Sequence, residues 1–337
     1  MFASKIFRRI LIGLVLVLCL ALGEAWLFAA QKLGDHMHKP LFGGATFDDF
    51  CQSSEIGGFP FRLKVTCKSL TAPIRVGTVQ LVLKAEEARG TASVFSPNHV
   101  VLTLTSPAAL QRADGAPFAK LRHDGLTLDV AWSLGGFRQV EIKANALDWR
   151  PESPDVGIAL NIQQLEASIA PNPAPVTSLH FKLAGQGVTV PALQALLKTT
   201  DAAQFSLEGD LSPAPRPLPD WRAALEDWRQ RDGAMDIAAF DASAGSSTLH
   251  VEGRLKLDES HRAIGQFKLV ATGAGPVMAR LGLPIAASSA KNILGALLGA
   301  PANSNPADDK IALPLRIAEG QIFVGPFRLP AQVQPLY

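Results

Sequence analysis

Asp124-Gly125-Leu126-Thr127-Leu128-Asp129-Val130-Ala131-Trp132 is the stretch on which the fold assignment turns. Asp-Gly is a strong signal for a two-residue hairpin turn. Leu126, Leu128, Val130 and Trp132 then alternate with Thr127, Asp129 and Ala131, the period of a half-buried strand. The same period spreads outward in both directions. Upstream, Phe59, Phe61, Leu63 and Val65 alternate with Pro60, Arg62, Lys64 and Thr66. Val79, Leu81 and Leu83, then Val100, Leu102 and Leu104, repeat the pattern. Downstream, Gly135-Gly136 marks a turn before Val140, Ile142 and Ala144. Ile158, Leu160 and Ile162, then Leu179, Phe181 and Leu183, continue it. Short strands separated by turns in this way describe an antiparallel meander.

The second half adds helices to the same theme. Pro191 opens a short helix whose apolar residues are Leu193, Leu196 and Leu197. Residues 212–219 hold four prolines and are the best internal joint. Asp220 is an expected N-cap for a helix through Arg231, with Trp221, Ala224, Leu225 and Trp228 as its buried stripe and Gly233 as its stop. Strands are expected again at 235–240, 248–257 and 265–272, a helical region at 276–299, and a closing hairpin around Glu319-Gly320. The expected fold is mainly β with a few helices. It is a long antiparallel curved sheet or two packed sheets, after one N-terminal transmembrane helix.

The 337 residues suffice for about two average domains or one large β domain. Hydrophobic residues make up 47% and charged residues 18%, the reverse of a disordered chain. Three basic residues, Lys5, Arg8 and Arg9, precede a remainder with 29 basic and 30 acidic residues. That leaves no basic field to condense on nucleic-acid phosphate.

The first thirty residues read as a targeting segment. The basic stretch Lys5 to Arg9 precedes an apolar run from Ile10 to Leu22, the charge order that keeps the N-terminus in the cytoplasm and exports the rest. A helix from Ile10 to Ala30 would be about 31 Å long, matching a hydrocarbon core, with Trp26 in the interfacial belt. Ala21-Leu22-Gly23 also satisfies the small-residue requirement for cleavage after Gly23. Residues 1–30 are therefore assigned as a signal-anchor, and 31–337 as a periplasmic β-rich domain anchored to the inner membrane. Gln31 to Phe50 reads as an amphipathic stem.

Outside that segment only Cys51 and Cys67 remain. In an oxidising compartment an isolated pair this close is an expected disulfide.

Catalytic signatures are scarce. H-E-x-x-H, G-x-S-x-G, P-loop and EF-hand patterns do not occur. Ser288 to Lys291 matches S-x-x-K without its partner motifs, and Asp35-His36-Met37-His38 places ligand-type residues where they do not share a helix face. No catalytic residue, metal or cofactor is assigned. What stands out is apolar strand surface with no chemistry attached, which must be buried against another layer or against an apolar ligand. Phe59, Phe61, Leu63, Leu126, Leu128, Val130 and Trp132 are the candidate lining residues of a lipid-holding surface. A scaffold whose sheet edges receive another envelope protein is the competing assignment.

Three segments also resemble a known family. Cys51 to Cys67, containing Ile56-Gly57-Gly58-Phe59-Pro60-Phe61-Arg62-Leu63, resembles the signature of domain-of-unknown-function family 2125, a group of Gram-negative envelope proteins. Trp221 to Gly233, followed by Gly253 to Asp258, is similar to its central segment. Leu313 to Ile317 through Gly320 and Gly325-Pro326 resembles its C-terminus. More remotely, the anchor, the alternating-strand body and the terminal glycine pattern resemble AsmA-like envelope proteins, which implies kinship with lipid-bridging folds. The family brings no catalytic residues with it.

Overall fold

A computed structural model describes residues 23–24, 26–35, 46–76, 79–133, 136–153, 157–172, 178–197, 199–216, 221–273, 311–325 and 327–337. The expected helical region at 276–299, the S-x-x-K pair, the apolar run 10–22 and His36 to His38 lie outside them. Among the described residues, no helix is long and apolar enough to cross a membrane.

Among the described residues, seventeen strands join one antiparallel sheet. In chain order they are β1 (Cys51–Gly57), β2 (Arg62–Val76), β3 (Val79–Ser93), β4 (Ser96–Leu104), β5 (Ala108–Arg112) and β6 (Pro117–Arg122). There follow β7 (Gly125–Ser133), β8 (Gly136–Pro151), β9 (Leu160–Pro171), β10 (Leu179–Val188), β11 (Ala203–Ser212) and β12 (Ala234–Ala244). β13 (Ser247–Leu257), β14 (Ala263–Thr272), β15 (Ile311–Ala318), β16 (Gln321–Val324) and β17 (Phe327–Gln332) complete it. Helix α1 spans 26–35, α2 is Pro191–Leu197 and α3 is Trp221–Gln230.

Each strand lies beside its neighbour in sequence, with one modification. Long β3 pairs with β4 through one half and β5 through the other, and long β8 pairs likewise with β7 and β6. β4 and β5 are thus two segments of one interrupted strand, as are β6 and β7. This corrects the expected Asp124-Gly125 hairpin. β6 and β7 do not pair with each other, and the turn falls instead at Ala113 to Ala116, where Arg112 N donates to Ala116 O. Asp-Gly signals backbone freedom, and a break in mid-strand uses that freedom as readily as a reversal does.

The break belongs to a line of irregular backbone across the first half of the sheet. Ser69 on β2 and Ala146 on β8 take positive φ, and the β4–β5 and β6–β7 interruptions lie between them. At this line the apolar positions change parity, from Leu63, Val65 and Cys67 to Leu70, Ala72 and Ile74 on β2. Beyond it, Leu81, Leu110 and Ala119 form a small buried cluster flanked by Ile74, Leu83, Phe118 and Trp149. His123 is buried within the break. Neither ring nitrogen has a hydrogen-bond partner, and burial pushes its pKa below the ordinary value, so the ring is held neutral.

Residues 212–219, the expected joint, connect strands that are hydrogen-bonded to each other from Gln204↔Ser243 to Ser212↔Ala234. Helix α3 closes that connection. Trp228 is buried and donates its indole N–H to Pro213 O at 2.8 Å. Gly233 stops the helix by donating to Trp228 O, and a Cβ there would stand 2.3 Å from the Trp228 ring.

Candidate functional site

In an antiparallel sheet, directly opposed residues share a face, so the registers trace each surface from strand to strand. Starting at Leu128, the row passes through Leu102 and Gly90 on one side and Ile142, Ala167 and Leu183 on the other. It continues through Leu207, Phe240, Val251, Leu269 and Leu313. Rows immediately above and below behave alike. In these three rows, from Leu63 on β2 to Val324 on β16, every paired position is apolar or glycine, and Ser247 opposite Ala244 is a polar residue on the same face just beyond them.

The opposite face is a ladder of charge. His99 faces Asp129, His180 meets both Glu208 and Asp210, and His250 meets Asp241. Lys182 pairs with Glu208, Lys268 with Glu252, and Arg254 with Asp236. Exposed pairs of this kind contribute at most about 1 kcal/mol each. Their larger consequence is orientation, because they keep this face in water and leave the apolar face to be covered.

That apolar face is unusually open. Most of its side chains are half-buried, Leu102 and Ile142 remain 42% and 37% exposed, and no large side chain is fully buried. No second sheet covers it among the described residues. In the second half, phenylalanines lie across glycines of adjacent strands. A Cβ at Gly185 would stand 2.4 Å from the Phe205 ring, and one at Gly209 would stand 2.8 Å from the ring of Phe181. Phe267 sits likewise against Gly253 of the adjacent strand, and also against Gly265 of its own. The rings fill the missing side chains, so this part of the apolar face is low and smooth.

Of the expected lining residues, Leu63, Leu126, Leu128 and Val130 lie in this face. Phe59 and Phe61 do not, since they occupy the turn between β1 and β2, and Trp132 stands beyond a bulge at the turn into β8. The phenylalanine–glycine pairs were not anticipated. Their only sequence signal is the recurrence of glycine within otherwise alternating strands. Cys51 and Cys67 form the expected disulfide, with their Cα atoms 5.4 Å apart.

A second cluster has catalytic-type side chains and a structural arrangement. Glu226 on α3 accepts Nε and Nη2 of Arg229, Nε2 of Gln230 and the hydroxyl of Tyr337, with His261 Nε2 at 3.5 Å. Arg229 above all, then Gln230, holds this carboxyl well below the usual range. With so many donors already seated, Glu226 is a clasp between α3 and the chain's last residue rather than a proton acceptor. Burial, aided by the bond to Glu226, pushes the Tyr337 phenol up to about 12. The neutral phenol is therefore stabilised by folding, fully below pH 10 and decreasingly as pH rises through 12. Because the chain has one tyrosine, phenolate absorbance after a pH jump reads this group alone. A midpoint near 12 is expected in the folded protein and near 10 in urea, and a folded midpoint of 10 would refute the clasp. Among the described residues, no cluster of His, Cys, Asp and Glu has the form of a metal site.

Residues 48–332 match the family model DUF2125, described as an uncharacterized protein conserved in bacteria. No curated protein and no solved structure matches the chain.

Proposed function

We propose, from the premise that this chain belongs to the DUF2125 family of uncharacterized bacterial proteins, that it holds or passes lipid along its apolar sheet face in the cell envelope. The observation that supports this most is the uninterrupted apolar row, half-exposed and free of charge from β2 to β16. At about 4.8 Å between strands the row extends roughly 60 Å, and three alternating residues make it roughly 13 Å tall. That is room for acyl chains lying across the strands. Each buried methylene contributes about 0.8 kcal/mol, so one chain of ordinary length would bind without any polar recognition. Sequestering the face also answers the liability of a large exposed apolar patch.

The rest of the reading is consistent with this. An anchored N-terminus in the inner membrane, a body in the periplasm and a disulfide all suit an envelope protein. A long meander with one apolar face is also the feature by which kinship to AsmA-like proteins would be expressed. The full chain, extracted from membranes in mild detergent and analysed by native mass spectrometry, is expected to retain phospholipid. Recovery of one stoichiometric protein and no lipid would replace the lipid reading with the scaffold reading.

A further inference from the structure

We propose that one end of the sheet is a bilayer-docking edge, formed by the β1–β2, β3–β4 and β7–β8 turns. The inference rests on the membrane-anchored part of the reading above and not on what occupies the trough. In a meander, successive turns alternate between two ends, and since β4–β5 and β6–β7 are each continuous, these three turns share one end. They gather the exposed aromatic side chains of the sheet among the described residues. Phe59 and Phe61 lie in the first, Phe95 in the second, and Trp132 and Phe137 flank the third. Phe95 is 69% exposed and Phe59 59%, and the Phe61 and Phe95 rings stack 6.0 Å apart across neighbouring turns. Aromatic side chains left in water at one edge are costly there and favourable at the level of lipid headgroups.

Charge marks the same edge. Residues 58–62, 94–97 and 133–138 contain no carboxylate, and their charged residues are Arg62 and Arg138. Turns at the opposite end carry Asp114 and Asp201. An edge of aromatic and cationic residues without acids suits an anionic bilayer surface.

Chain connectivity gives the independent argument for this occupant. Trp26 at the start of α1 donates its indole N–H to Arg62 O at 2.8 Å and packs edge-on against Phe59. A Cβ on Gly23 would stand 3.8 Å from the Phe59 ring. The chain therefore passes from the apolar run 10–22 into the described structure at Gly23, beside these turns. If that run is in a bilayer, the aromatic edge meets the bilayer surface, and one end of the apolar face reaches it.

The test places tryptophan reporters in the full chain, reconstituted in vesicles of phosphatidylethanolamine and phosphatidylglycerol with brominated acyl chains. Phe95→Trp reports the edge, Leu193→Trp the opposite end and Ile142→Trp the trough, each as the increment over the unsubstituted chain. Quenching at position 95 at least about threefold stronger than at 193 is expected for interfacial insertion. Equal or absent quenching at 95 overturns the inference. Protection of 95 from aqueous acrylamide without bromine quenching also overturns it, by identifying a protein partner. Quenching at 95 but not 142 preserves the docking edge and removes the lipid-filled trough, whereas the reverse removes the edge alone. Failure of the chain to float with the vesicles overturns both the edge and the anchored reading.

Discussion

With lipid on the apolar face as proposed, Ile142→Glu is expected to lower bound phospholipid by about tenfold or more while leaving the sheet folded. Ile142 lies in the middle of the apolar row, opposite Leu128 on β7 and Ala167 on β9. It is 37% exposed, so a carboxylate there can reach water in the lipid-free protein. The fold loses only part of one side chain's burial, about 1 kcal/mol. An acyl chain lying across the position must instead desolvate the charge, with no cation among the paired positions next to it on this face. The effective penalty for burying an unpaired ion is several kcal/mol, and about 1.4 kcal/mol already makes a tenfold change. Lys143→Gln is the matched control. It sits next in sequence but on the opposite face, paired with Glu141, and is expected to leave lipid content unchanged. Extracted phospholipid per chain, read beside a circular-dichroism melt, checks both variants. Wild-type lipid in a folded Ile142→Glu protein would show that the trough is not where lipid sits.

The strands of this sheet were legible because each shows its period locally. Leu126, Leu128 and Val130 face one way whatever their neighbours are, and α3 was visible in the spacing of Trp221, Ala224, Leu225 and Trp228. The continuity of the apolar face was not, because it depends on registers between strands. A slip of one residue at any of them would have turned that strand's apolar row toward water. The Asp124-Gly125 misreading has a related cause. A local signal for backbone freedom does not say whether a strand reverses there or only breaks, and what decides is that β8 is long enough to pair with both β6 and β7. Residues 59 and 61 show the limit of periodicity, since they alternate correctly and yet stand in a turn. The Glu226–Tyr337 clasp joins residues 111 apart, beyond the reach of any pattern within one element.

Replacing both Cys51 and Cys67 by alanine is expected to destabilise the protein by about 3 kcal/mol, the value for closing a loop of about 15 residues. The effect is large because of where the bridge lies. β1 is hydrogen-bonded to β2, from Cys51↔Leu70 to Gly57↔Lys64, and β2 has β3 on its other side. A strand held from one side frays more readily than one held from two, and the Lys68–Glu55 ion pair across it is exposed and contributes little. Both half-cystines are buried, at 5% and 3% exposure, so the substitution also removes packing at the start of β1. Loosening β1 loosens what rests on it, including α1, whose Gly34 lies against Ile56, and the Phe59 turn that follows. Urea denaturation of the full chain, with and without the substitutions, gives the free-energy difference, and a loss below about 0.5 kcal/mol would refute a structural role for the bridge. The same bond tests the compartment. Thiol alkylation in intact cells is expected to find Cys51 and Cys67 oxidised, and reduced in cells that lack the periplasmic thiol oxidase. Free thiols in both strains would place the body on the reducing side of the membrane, where neither the disulfide nor the envelope reading survives.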